Sequence, residues 1–114
     1  MRLILWIGLA LLLSSPGHAE DPNSATFWQP KCKSLLLPKS GDVVSGACMG
    51  MMLVLKSTGH LLHGEARVCV PRDTTIEQML RVITNFIDAQ PELAHLPFVD
   101  LSIYAMRAAW PCKS

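Results

Sequence analysis

The fold turns on the stretch Thr74-Thr75-Ile76-Glu77-Gln78-Met79-Leu80-Arg81-Val82-Ile83-Thr84-Asn85-Phe86-Ile87-Asp88. Its opening fits a capping box: the Thr74 hydroxyl accepts from the backbone N–H of Glu77, and the Glu77 carboxylate reaches back to that of Thr74. Ile76, Met79, Leu80, Ile83, Phe86 and Ile87 then recur on one helical face, while Arg81, Thr84, Asn85 and Asp88 take the other. This is an amphipathic helix whose apolar side needs other elements to cover it.

The flanking sequence supplies those elements. Upstream, Val68-Cys69-Val70-Pro71 reads as a short extended connector, because the proline keeps the residue before it out of the helical region. Before the connector, a helix is predicted from about Asp42 to Leu61, with Val44, Cys48, Met51 or Met52, and Leu55 along one face; Gly59 and the polar run His63-Gly64-Glu65-Ala66-Arg67 end it. So much of its circumference is apolar that it is expected to be the central, most buried helix. Pro38-Lys39-Ser40-Gly41 separates it from a first helix over Ala25 to Leu37, whose regularity Pro30 limits.

Downstream, Gln90-Pro91-Glu92 closes the capped helix, and a last helix runs from near Pro97 to Trp110, stopped by Pro111. Val99, Ile103 and Met106, flanked by Leu101, Ala105 and Ala109, form its expected buried stripe. Gly-rich alternating runs and hairpin turns are absent, so the fold class is all-α: a compact four-helix domain with short connections.

The chain opens with Met1-Arg2, an unbroken apolar run from Leu3 to Leu13, then Ser14-Ser15-Pro16-Gly17-His18-Ala19. This is the pattern of a signal peptide over residues 1–19, cleaved after Ala19, with a run about half the length that a spanning helix needs. The competing reading, an uncleaved anchor, lacks any extension of the apolar stretch beyond Leu13. Cleavage leaves 95 of the 114 residues, residues 20–114, as one domain with nine basic and nine acidic side chains scattered singly. That balance argues against nucleic acid or an anionic membrane as partner, and the mature part has no second apolar segment for stable membrane insertion.

Cys32, Cys48, Cys69 and Cys112 all fall in the exported part, an even number in an oxidising compartment, and read as two disulfides. Three pairings are open. The favoured one is nested, Cys48 with Cys69 and Cys32 with Cys112, contributing about 3 and about 4.5 kcal/mol on the loop-entropy account. Trp28 and Trp110, near the two cysteines at the chain's ends, are then expected to pack on the outer disulfide rather than stack on a ligand.

The residues that could carry chemistry all have simpler readings. Cys48, Met49, Met51 and Met52 with His60 and His63 offer thiolate, thioether and imidazole groups suited to copper. Methionine as a flexible core filler and Cys48 as a disulfide partner explain the same residues, so no metal ligand and no cofactor is assigned. A cysteine nucleophile with His95 as base would need a free thiol, which an even count opposes. The serines form no nucleophile elbow and the carboxylates no spaced pair, so no catalytic residue is assigned and the domain is read as a binding protein rather than an enzyme. The connection from Pro91 to Leu96 joins two rigid helices, the kind of place where partner contacts collect.

Four landmarks in order carry a resemblance: Cys48-x-Gly50 in the second helix; Cys69-Val70-Pro71 before a Thr-capped helix with Gln78; Phe86-Ile87 followed by Gln90-Pro91-Glu92; and Ala108-Ala109-Trp110-Pro111-Cys112 at the end. Over residues 32–112 the chain resembles the Rap/Tai family of type VI secretion immunity proteins. The resemblance implies a small periplasmic helical protein, often a homodimer, whose partner is a secreted peptidoglycan amidase. It also implies that a protruding loop fills the amidase cleft, which here corresponds to Gln90, Pro91, Glu92 and His95. The chain departs from the family pattern after Cys48. Family members commonly carry Gly-Tyr-aliphatic there, then a second glycine and an acid, where this sequence has Gly50-Met51-Met52, Val54 and Ser57. Two rival functions share the architecture: a periplasmic holdase of the acid-stress type, and a copper-binding module using the methionines and histidines.

Overall fold

A computed structural model describes residues 21–37 and 43–113. The signal-peptide segment and the Pro38-Lys39-Ser40-Gly41 break lie outside the described residues. Four helices follow one another: α1 (Ala25–Lys33), α2 (Val43–Thr58), α3 (Ile76–Asp88) and α4 (Phe98–Ala109). Single 3-10 turns lie at Ser34–Leu36, Gly59–Leu61, Gly64–Ala66 and Pro91–Leu93. The all-α expectation holds; extended pairing among the described residues is confined to one isolated bridge between Ser24 and Pro97.

The α3 capping box forms one residue later than the spacing predicts. Thr75 Oγ1 accepts from the Gln78 N–H at 3.1 Å, and Gln78 Oε1 accepts from the Thr75 N–H at 2.8 Å. Thr74 is already committed to the preceding turn: its N–H donates to the Pro71 carbonyl, and its own carbonyl accepts from Lys56 Nζ at 2.6 Å. Glu77, freed from capping, pairs instead with Arg81 one turn on, at 2.8 Å. A further difference is Thr84, expected on the polar face but buried; its hydroxyl donates to the Leu80 carbonyl at 2.8 Å, which lets a polar side chain sit beneath α1 without an unmet hydrogen bond.

The central position belongs to α3, not α2. Helix α3 packs on α1, α2 and α4, and its Met79, Leu80, Ile83 and Ile87 form the middle of the core. Helix α2 turns only Ser45, Cys48, Met52 and Leu55 inward, a narrow stripe at spacings of three and four, and leaves Val43, Met49, Leu53 and Val54 exposed. Its mean apolarity is high all round, yet it meets its main neighbours, α1 and α3, along one side only. In α4 the inward stripe is Phe98, Leu101, Ser102, Ala105 and Met106; Val99, expected to be buried, lies 40% exposed. Starting the helix at Phe98 with Pro97 as its cap sets that face, and the Ser102 hydroxyl is satisfied by the Phe98 carbonyl at 2.8 Å.

The nested disulfide pairing is overturned. Cys32 bonds Cys48, and Cys69 bonds Cys112, with Cα separations of 5.6 and 4.9 Å. Helices α1 and α2 pack side by side, so the buried cysteines near the end of one and the start of the other meet directly. The connector runs past the end of α4, where the Cys69 N–H donates to the Trp110 carbonyl at 3.0 Å and brings Cys69 to Cys112. The expected outer disulfide therefore does not exist for the two tryptophans to cover. Trp28 stands edge-on to Phe27 and donates from Nε1 to the Pro22 carbonyl at 2.7 Å.

Gly59 marks where the connector presses closest on the end of α2. A Cβ placed there would lie 2.5 Å from Val68 Cγ2 and 3.1 Å from the Val68 carbonyl oxygen, and Val68 is itself fully buried. Gly59→Ala is expected to destabilise the domain by about 1–3 kcal/mol through overpacking, read as a lower urea midpoint at unchanged slope.

Candidate functional site

The loop between α3 and α4 is built by local hydrogen bonding and then gripped from outside. Helix α3 closes with the Ala89 N–H on the Asn85 carbonyl and the Gln90 N–H on that of Ile87. Gln90 leaves the helical region, with φ −134° and ψ 65°, and Pro91, which has no N–H to satisfy, opens the 3-10 turn. The turn carries on through Leu93 N–H to the Gln90 carbonyl at 2.9 Å, Ala94 N–H to that of Pro91 at 3.2 Å and Leu96 N–H to that of Leu93 at 2.9 Å. Leu93 and Leu96 point back into the core, whereas Pro91, Glu92 and His95 are exposed and Gln90 is half-buried.

The outer grip comes from the start of α1. The first N–H groups of a helix have no partner within it. In α1 those of Ala25 and Thr26 donate to the Leu96 and Ala94 carbonyls, each at 2.9 Å, and the Thr26 hydroxyl adds a second bond to Ala94 at 3.0 Å. The Phe98 N–H, at the loop's far end, donates to the Asn23 carbonyl at 2.7 Å. The sequence reading brought together Gln90, Pro91, Glu92 and His95, and the structure places all four on this one loop. It missed the clamp by Asn23, Ala25 and Thr26. The available signal was Ser24, whose Oγ accepts from the Phe27 N–H at 3.2 Å and so fixes where α1 begins.

Beside the loop, Asp88 at the end of α3 accepts from Lys33 Nζ at 2.9 Å and from Gln29 Nε2 at 2.6 Å. The Lys33 ammonium holds the Asp88 carboxyl below the usual carboxylate range. Thr26, Gln29, Pro30, Lys33 and Ala94 line a shallow depression of about 280 Å³ against the loop's flank. Beside this depression the loop exposes one acid and one imidazole, Glu92 and His95, on a backbone that the chain's own hydrogen bonds order.

The copper candidates are dispersed. Cys48 is in a disulfide, Met52 is fully buried, Met49 faces solvent, and His60 and His63 lie beyond the end of α2. Among the described residues no three His, Cys, Asp or Glu side chains cluster as metal ligands, and no helix is long and apolar enough to cross a membrane.

A small disulfide-stapled helical domain with a clamped inter-helix loop is the class this geometry defines. Residues 24–112 match the Rap1a immunity proteins, and the chain belongs to that family. Membership gives it a coarse role: a type VI effector immunity protein whose partner is a protein effector. No curated protein and no solved structure matches the chain.

Proposed function

We propose that the chain is a periplasmic immunity protein, exported on the signal peptide of residues 1–19, that occludes the active-site cleft of a type VI secreted peptidoglycan amidase with the loop over residues 90–95. The observation that carries this reading is the clamp. An exposed Pro91-Glu92-His95 tip is held by four hydrogen bonds to residues 23–26, three donated by the Ala25 and Thr26 N–H groups and the Thr26 hydroxyl and one by the Phe98 N–H to Asn23, with three more inside the loop's own turn. A loop that is ordered before binding keeps the affinity that a flexible one would lose to immobilisation, and a few anchored side chains carry most of an interface's energy.

The test is inhibition of peptidoglycan cleavage by any amidase found encoded beside the gene. The double variant Glu92→Ala with His95→Ala is expected to keep the native circular dichroism and to inhibit about 30-fold more weakly, the effect of losing roughly 2 kcal/mol at an interface hot spot. Failure of the unmodified protein to bind any neighbouring amidase refutes the amidase as target. Full inhibition by the double variant refutes the loop.

A further inference from the structure

A second surface lies at the other end of α4 from the loop. The loop meets α4 at Pro97, whereas the connector meets its far end through the Cys69 N–H on the Trp110 carbonyl, so the two are about 18 Å apart along a twelve-residue helix. Between α2 and this connector runs a groove of about 570 Å³, in the size range of ligand and peptide clefts. Leu53, Val68 and Val70 provide its apolar wall, and Lys56, His60 and Arg72 stand around it.

Three properties of the groove define its occupant. The lining holds two fixed cations and an imidazole but no carboxylate, since Asp73, next to Arg72, is not part of it. Neither Lys56 nor Arg72 makes an ion pair among the described residues; Lys56 is oriented only by the neutral Thr74 carbonyl, and Arg67, another cation, is held to the His60 carbonyl at 3.1 Å. Val70, finally, lies in the connector outside any helix and uses neither its N–H nor its C=O in a hydrogen bond within the described residues. Uncompensated positive charge calls for an anion, the exposed half of Leu53 calls for an aliphatic group, and the unused N–H and C=O of Val70 can each take a backbone partner from an extended chain.

We infer that the groove between α2 and the 68–72 connector binds an extended acidic segment of a partner protein, with an aliphatic side chain against Leu53 and carboxylates at Lys56 and Arg72. Nucleic acid and anionic lipid share the charge but not the backbone pairing, and both favour a broad basic surface, whereas the groove's cations are few and the exposed Asp73 follows Arg72 directly. The inference stands apart from the loop, and its test separates the two.

The experiment uses the chain purified after export with both disulfides formed. The probes are two fluorescein-labelled pentapeptides, Glu-Leu-Asp-Val-Glu and its counterpart with lysine at each acidic position, read by fluorescence anisotropy and by amide chemical shifts. The acidic peptide is expected to shift the amides of Leu53, Lys56, His60, Val70 and Arg72, to bind more weakly as salt rises, and to lose tenfold or more in affinity to Arg72→Glu. Arg72 is exposed and unbonded, so that variant should keep the native spectrum elsewhere. Glu92→Ala, on the loop, should bind the peptide unchanged. Absence of groove shifts, equal binding of the lysine peptide, undiminished binding by Arg72→Glu, or equally potent displacement by phosphatidylglycerol vesicles or a short oligonucleotide would each overturn the assignment.

Discussion

Replacing Cys69 and Cys112 together with alanine is expected to remove about 4 kcal/mol of stability, because that bond closes a 43-residue separation whose entropy the unfolded chain would regain. The Cys32–Cys48 bond, across a separation of 16, is expected to contribute about 3 kcal/mol on the same account. Net stability of a domain this size is only about 5–15 kcal/mol, so loss of the longer bond should lower the melting temperature by roughly 20 °C, and loss of both should leave little folded protein at 37 °C. Thermal melts followed by circular dichroism, with the double variants and with the native chain under reductant, check this. A melting temperature unchanged by the Cys69 and Cys112 replacements would mean that the hydrogen bond from Cys69 to Trp110 and the packing of Val68 suffice to hold the connector.

Phe98→Ala is expected to cost about 3–5 kcal/mol, the range for truncating a large aromatic side chain in a core. Phe98 is fully buried, begins α4 and carries the N–H that closes the loop onto Asn23. Its side chain anchors one end of the clamp, so the effect should not be confined to global stability. The urea midpoint should fall sharply, and at urea concentrations well below it the amides of Ala94 and Leu96 should exchange faster relative to those of α2. Equal acceleration everywhere would show that the ring supports the core without bearing on the loop.

The capped amphipathic segment over residues 74–88 was legible because a helix start and a 3.6-residue period are local facts. Its displacement by one residue was not, because Thr74 is drawn into the preceding turn by Lys56, eighteen positions away. The burial of α2 was misread for a related reason. Periodicity can say which residues are apolar, but only the neighbours say which apolar residues are covered, and α2 has neighbours on one side. The candidate loop could be placed from the order of motifs, while the hydrogen bonds that hold it come from residues some seventy positions earlier.

By itself the sequence determined the all-α class, four helices near their observed bounds, two disulfides and the loop over residues 90–95, since turn chemistry, helical spacing and cysteine count act over short range or through composition. Only the tertiary structure decided which cysteines pair, which helix is central and what grips the loop. Alternative pairings of four cysteines differ little in loop entropy, and a side chain's exposure depends on what lies opposite it, so both are settled by how the helices pack rather than by what each segment contains.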